Sequence, residues 1–195
     1  MLYYLKVNIK TNQENRDDFV KELYDFLDRK MKNIIYDGEQ LNLDGGVCFT
    51  ASKIATKILK RLGYNCEVQR VKFIIGNESG KKKFEQFLID NKPPKYIGKE
   101  HVLGLGLHGS HYIIYFKEES LIMDLTIGQA SRPEKDMIMK AYFRELDNLP
   151  KEIIACKFMK PDRVYELSCS FYLAREYFDK VIKEGYKDLK KGWKK

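Results

Sequence analysis

Two apolar runs, His111-Tyr112-Ile113-Ile114-Tyr115-Phe116 and Leu121-Ile122-Met123-Asp124-Leu125, are separated only by the polar stretch Lys117-Glu118-Glu119-Ser120. Each run has the length of a strand and is rich in aromatic and branched side chains. Alternate residues of a strand face opposite ways, and both alternations here are apolar. A strand that is apolar on both faces needs cover on both, so the pair predicts an antiparallel hairpin lying centrally in a sheet.

The remaining segments supply the layers around it. Phe19, Val20, Leu23, Tyr24, Leu27, Met31 and Ile34 recur at helical intervals and predict an amphipathic helix over 14–35, capped by Asn12 or Asn15. Turn signals come next, at Asp37-Gly38 and Asp44-Gly45-Gly46. A second helix is expected from Cys48 to about Leu62, with Ala51, Ile54, Ala55, Ile58 and Leu59 on its apolar face and Gly63 just past its end. Further on, a strand is expected over 66–75 and a short helix over 82–90, stopped by Pro93-Pro94. A glycine-bearing loop (98–110), a helix (135–146), strands over 153–159 and 163–168, and a basic helix (172–191) complete the chain. Helices first and a mainly antiparallel sheet afterwards make the α+β pattern. At 195 residues the chain suits a single domain, 1–195, able to bury roughly 70% of its unfolded surface.

Composition narrows the function classes. No apolar run approaches the roughly 20 residues that span a bilayer. The stretch Met1 to Lys6 is too short for a signal peptide, and the residues after it are too polar. The expected location is the cytoplasm, with no membrane partner. Cys48, Cys66, Cys156 and Cys169 show no CxxC spacing, so neither a disulfide scaffold nor a zinc site is expected, and the last three read as small buried hydrophobes. The net charge of +8 is concentrated in Lys81-Lys82-Lys83 and in 187–195. No nucleic-acid motif, phosphate loop or stacking pattern accompanies it, so a solvated lysine-rich surface, suited at most to an acidic protein or peptide, is the expectation.

Cys48 stands apart from the other thiols because it opens a helix. The reactive form of cysteine is the thiolate, and the N–H groups and dipole at a helix N-terminus favour negative charge. Gly45-Gly46 just before it would let the backbone approach a substrate carbonyl, with the Cys48 N–H facing the oxyanion of a tetrahedral intermediate. A nucleophile needs a base, and the base needs a third group to orient it. Of the three histidines, His101 and His108 fall in the loop, whereas His111 opens a strand that would hold its ring still. Asp124 closes the next strand. A two-residue turn would set 111 opposite 124 or 126, and either register puts His111 and Asp124 on one face. A three-residue turn would separate them. His108 and His111 lie three apart without a third ligand, so no metal is expected, and no cofactor.

These residues resemble a family. Gly45-Gly46-Val47-Cys48-Phe49, its helix, and Gly63-Tyr64 before a strand look like the nucleophile region of papain-like and transglutaminase-like proteins; the glycine pair is also similar to arylamine N-acetyltransferases. His111 to Phe116, then Leu121 to Thr126 and Gln129, resemble the histidine strand and the "Asp-x-Thr-x-x-Gln" strand of that superfamily. The likeness covers about 40–130, a catalytic core between an N-terminal helix and a C-terminal basic helix. It implies a papain-like fold with the nucleophile helix packed on the sheet, Cys48 as nucleophile, His111 as its imidazole and Asp124 as the orienting carboxylate. Gln40 and Asn42, upstream of the cysteine, are the matching oxyanion candidates. The implied activity is thiol-dependent attack on an amide through a thioester: peptide hydrolysis, glutamine deamidation or acyl transfer to an amine. Coenzyme A-dependent N-acetyl transfer and a non-catalytic binding module with a basic surface are the alternatives.

Overall fold

The computed structural model describes residues 13–36, 39–43, 46–90, 102–103, 111–169 and 175–192. The first helix, α1 (Gln13–Met31), buries Phe19, Val20, Leu23, Phe26, Leu27 and Met31. It stops short of residue 35 because Asn33 closes it: the side-chain amide donates to the Arg29 carbonyl at 3.0 Å, satisfying a group that the last turn leaves open. Asn15 lies within the helix rather than at its cap, and Asn12 is outside the described residues. The chain then forms a small hairpin, β1 (Ile35–Tyr36) and β2 (Glu39–Gln40).

The second helix, α2 (Cys48–Arg61), buries its whole apolar stripe. Gly63 ends it at φ +96°, and Tyr64 N–H reaches back to the Leu59 carbonyl at 3.0 Å, a closure that favours glycine at the left-handed position. The long strand β3 (Glu67–Gly76) comes next, then α3 (Glu78–Ile89). That helix begins earlier than residue 82 because the Asn77 side chain accepts from Gly80 N–H at 2.9 Å and caps it. β4 (Val102–Leu103), β5 (His111–Phe116), β6 (Leu121–Asp124), β7 (Tyr142–Glu145) and β8 (Ile153–Phe158) complete the strands, and α4 (Arg163–Cys169) and α5 (Arg175–Gly192) end the described chain.

The strand order is β4-β3-β5-β6-β7, every pairing antiparallel, with β8 also paired to β3. β3 is long enough to take β5 along Glu67–Val71 and β8 along Val71–Ile75. The hairpin is central, as its two apolar faces demand: β5 lies between β3 and β6, and β6 between β5 and β7. Its connection is a four-residue turn, 117–120, with Ser120 at φ +54°. Phe116 pairs with Leu121 and Ile114 with Met123; continued inward, this register sets 111 opposite 126.

Two segments differ from expectation. Residues 135–146 do not form one helix: a short 3-10 turn at Pro133–Lys135 leads into extended chain and then β7, which pairs Asp124 with Tyr142 and Met123 with Phe143. β6 exposes an edge full of backbone donors and acceptors, and the Tyr-Phe pair fits that edge better than a helix would. Residues 163–168 are helical rather than extended; Glu166 N–H donates to the Asp162 carbonyl at 2.9 Å, so α4 satisfies its own backbone.

The sheet separates two apolar clusters. On one face Ile114, Phe116, Leu121, Met123 and Phe143 meet α1, α2 and α5. On the other, Val71, Phe73, Ile75, Ile113, Ile122 and Tyr142 meet Ile127, Ala130, Met137 and Met139 from the β6–β7 connection. α5 approaches α2 and α1 closely at Gly185, where a Cβ would stand 2.5 Å from Ile58 Cδ1 and 2.8 Å from Phe26 Cε1. Among the described residues no helix is long and apolar enough to cross a membrane.

Candidate active site

Cys48 is the first residue of α2, with its side chain turned inward and 3% exposed. Val47 before it offers no side-chain acceptor, so no cap competes for the first-turn N–H groups. Gly46 takes φ +82°, which calls for glycine; a Cβ there would meet nothing within 4 Å, so its role is the turn rather than room for a neighbour. Gly45 lies outside the described residues. Phe49 packs edge-on against Tyr112 at 4.9 Å, and Ser52 Oγ donates to the Tyr112 carbonyl at 2.9 Å. The first turn of α2 is thereby tied to the start of β5.

His111 is that start. Its side chain lies on the sheet face opposite α2, yet it stands at the end of the strand, where its ring reaches the helix terminus. The ring is fully buried and hydrogen-bonded to the Cys48 side chain. His111 Nε2 lies 2.7 Å from Asp124 Oδ2. The even-numbered turn permits this contact: with 111 opposite 126, Asp124 is a diagonal neighbour on the same face. Asp124 Oδ1 accepts from Thr126 N–H at 3.0 Å and from Thr126 Oγ1 at 3.4 Å, so both carboxylate oxygens are engaged. Phe73, with its ring centre 5.6 Å from that of His111, supplies an apolar wall.

With Nε2 turned to Asp124, Nδ1 is the nitrogen left for Cys48. Burial by itself would lower the His111 pKa, but the Asp124 carboxylate and then the Cys48 side chain outweigh it and hold it up at about 10. A ring that keeps its proton to such a pH is a partner for a thiolate. Burial pushes the Cys66 thiol up to about 12 and the Cys156 thiol up to about 11. The Cys169 side chain, His101 and His108 lie outside the described residues. Gln40 is exposed in β2 and Asn42 is exposed just beyond it.

Three neighbours of the cluster have no site role in the sequence-based expectations. Gln129 Nε2 stands 3.2 Å from His111 Nδ1, the nitrogen that faces Cys48. It sits in the 3-10 turn Ile127–Ala130, five residues past Asp124; it is the last residue of the "Asp-x-Thr-x-x-Gln" likeness, which gave it no catalytic role. Tyr142 is paired with Asp124 across β6 and β7; its buried hydroxyl has no hydrogen-bond partner among the described residues. Burial, then the nearby Asp124 and Cys156, push its pKa well above the ordinary phenol value. Tyr142 comes close to Asp124 because 142–145 is a strand on β6, and Cys156 because β8 pairs with β3, where it lies opposite Phe73.

No protein-family model, curated protein or solved structure matches the chain.

Proposed function

We propose that the protein is a cysteine-nucleophile enzyme with a papain-like or transglutaminase-like fold, which attacks amide bonds through a thioester on Cys48. The observation that carries this is one buried chain of contacts: Cys48 at the start of α2 bonded to His111, and His111 Nε2 bonded to Asp124 Oδ2 at 2.7 Å. In this scheme His111 Nδ1 takes the thiol proton and later delivers it to the leaving amine, while Asp124 fixes the ring and favours its charged form. Water or a second amine then releases the acyl group. A protein or peptide carries the scissile amide, and the free thiols of Cys48, Cys66 and Cys156 support a reducing, cytoplasmic setting.

The test is mass spectrometry of a host-cell lysate incubated with wild-type protein or with Cys48→Ala. New peptide termini that depend on Cys48 identify a peptidase, conversion of glutamine to glutamate identifies a deamidase, and glutamine–amine conjugates identify acyl transfer. Identical lysates, together with a Cys48 that alkylates no faster than Cys66 or Cys156, would remove the proposal.

A further inference from the structure

We infer that Gln129 is the side-chain oxyanion donor of this site, acting from the downstream side of the ring. This rests on the acyl-transfer chemistry proposed for Cys48. The expected donors upstream, Gln40 and Asn42, are exposed. Gln129 instead places its amide 3.2 Å from His111 Nδ1, the atom that takes the thiol proton.

Three features of the geometry fit the role. The first is anchorage. Gln129 N–H donates to the Thr126 carbonyl at 3.3 Å, its own carbonyl accepts from Arg132 Nη1 at 3.2 Å, and Ile127 and Ala130 on either side are buried. The amide therefore starts from a fixed turn. The second is access. Cys48, His111, Asp124 and Thr126 are at most 3% exposed, whereas Gln129 is half-buried, so it borders the solvent side of the cluster. The third is donor count. A primary amide carries two N–H donors and one acceptor oxygen. A neutral His111 ring uses one N–H, through the Nδ1 lone pair. Once Nδ1 is protonated it offers no lone pair, and Oε1 can accept from it instead. Both N–H donors are then available.

The ring is in that protonated form before attack, because Asp124 and Cys48 hold its proton on well above neutral pH: the Cys48 S–H bond has broken and its proton stands on His111 Nδ1. The sulfur pair forms the S–C bond, and the carbonyl π pair moves onto oxygen. Negative charge appears on that oxygen while both N–H donors of Gln129 are free of the ring. Collapse of the intermediate returns the pair to C=O, breaks the bond to the leaving group, and sends the Nδ1 proton onto that group. Donors placed for charge that develops only during the reaction stabilise the transition state more than the ground state.

The experiment compares two reactions of the same sulfur. Acylation by p-nitrophenyl acetate passes through an oxyanion; alkylation by iodoacetamide is a direct displacement and forms none. Gln129→Ala and the near-isosteric Gln129→Glu are expected to slow acylation of Cys48 by about 10²–10³-fold, the loss seen when one such donor is removed. Alkylation should stay close to wild type in Gln129→Ala, and should not fall in Gln129→Glu, whose carboxylate favours the charged ring. The alkylation rate also reports that the site has folded. Equal losses in both reactions would make Gln129 a support for the ring and overturn the inference, as would acylation at the wild-type rate. A wild-type protein that alkylates rapidly at Cys48 but is never acylated would refute the acyl-transfer chemistry itself, and Gln129's role with it.

Discussion

On one face of the sheet, Ile114, Phe116, Leu121, Met123 and Phe143 meet three helices through side chains that carry no hydrogen-bonding group. On the other, His111, Asp124, Thr126 and Tyr142 are just as deeply buried. The same two strands, β5 and β6, supply both faces by simple alternation. The helical face needs only volume and close approach, as Gly185 against Ile58 and Phe26 illustrates. The other face must satisfy a carboxylate and an imidazole away from water, and does so with a short ladder: Thr126 to Asp124, Asp124 to His111, and His111 to Cys48 and Gln129. Tyr142 shows the cost of polar groups inside a core, because its hydroxyl has no partner among the described residues.

The largest contrast should come from activity. His111→Ala is expected to slow acylation of Cys48 by about 10²–10⁴-fold, the usual worth of a positioned base. Asp124→Asn keeps the shape but favours the wrong tautomer, and should cost less, on the order of 10–10³-fold, because a thiol is more acidic than a hydroxyl. Burst kinetics with p-nitrophenyl acetate read both. A wild-type rate in His111→Ala would erase the distinction between the faces.

The helical face should answer in stability instead. Ile58→Ala removes a fully buried side chain between α2 and α5 and is expected to cost about 2–5 kcal/mol in urea unfolding. Cys48 in the folded fraction should still acylate at the wild-type rate. A matching loss of rate would mean that the two faces are coupled through the sheet.

Proton linkage separates the two faces further. His111 has its pKa raised from 6.5 to about 10 in the folded protein, so its stabilisation is complete below pH 6.5 and is lost as pH rises toward about 10. In Cys48→Ser no thiol can compensate. Asp124 alone then holds the ring's pKa up, so stability should fall as pH rises above 6.5, by up to about 1.4 kcal/mol per pH unit, the linkage of one proton, over a narrower window than the wild-type shift. Adding His111→Gln should flatten that slope. The wild type should slope less than Cys48→Ser, because a Cys48 that gives its proton to the ring leaves the folded state holding as many protons as the unfolded one. Chemical denaturation above pH 6.5 tests the order, and a flat Cys48→Ser profile would mean that Asp124 alone does not hold the ring charged.

The smallest effect carries an unusual sign. Tyr142→Phe removes a buried hydroxyl that lacks a partner among the described residues, so it is expected to raise stability by about 1 kcal/mol. A loss of similar size in the melting profile would mean that the hydroxyl supports Asp124.

Periodicity alone determined much of this arrangement. The stripe of α2, the glycine that ends it, and the two-faced apolar runs of β5 and β6 are local patterns, and local patterns are what a chain displays before it folds. The contact between His111 and Asp124 was legible for the same reason, since strand alternation and an even turn decide which residues share a face. Other features depended on packing. Residues 142–145 became a strand because β6 had an edge to fill, and 163–169 became a helix that bonds its own backbone. That pairing is what carried Tyr142 to Asp124. Gln129 reached His111 through a turn whose course is set by Ile127 and Ala130 finding the core, not by any repeat. Alternation assigns a side chain to a face, but which distant group meets it there is decided by the burial of both, and burial exists only once the layers have closed.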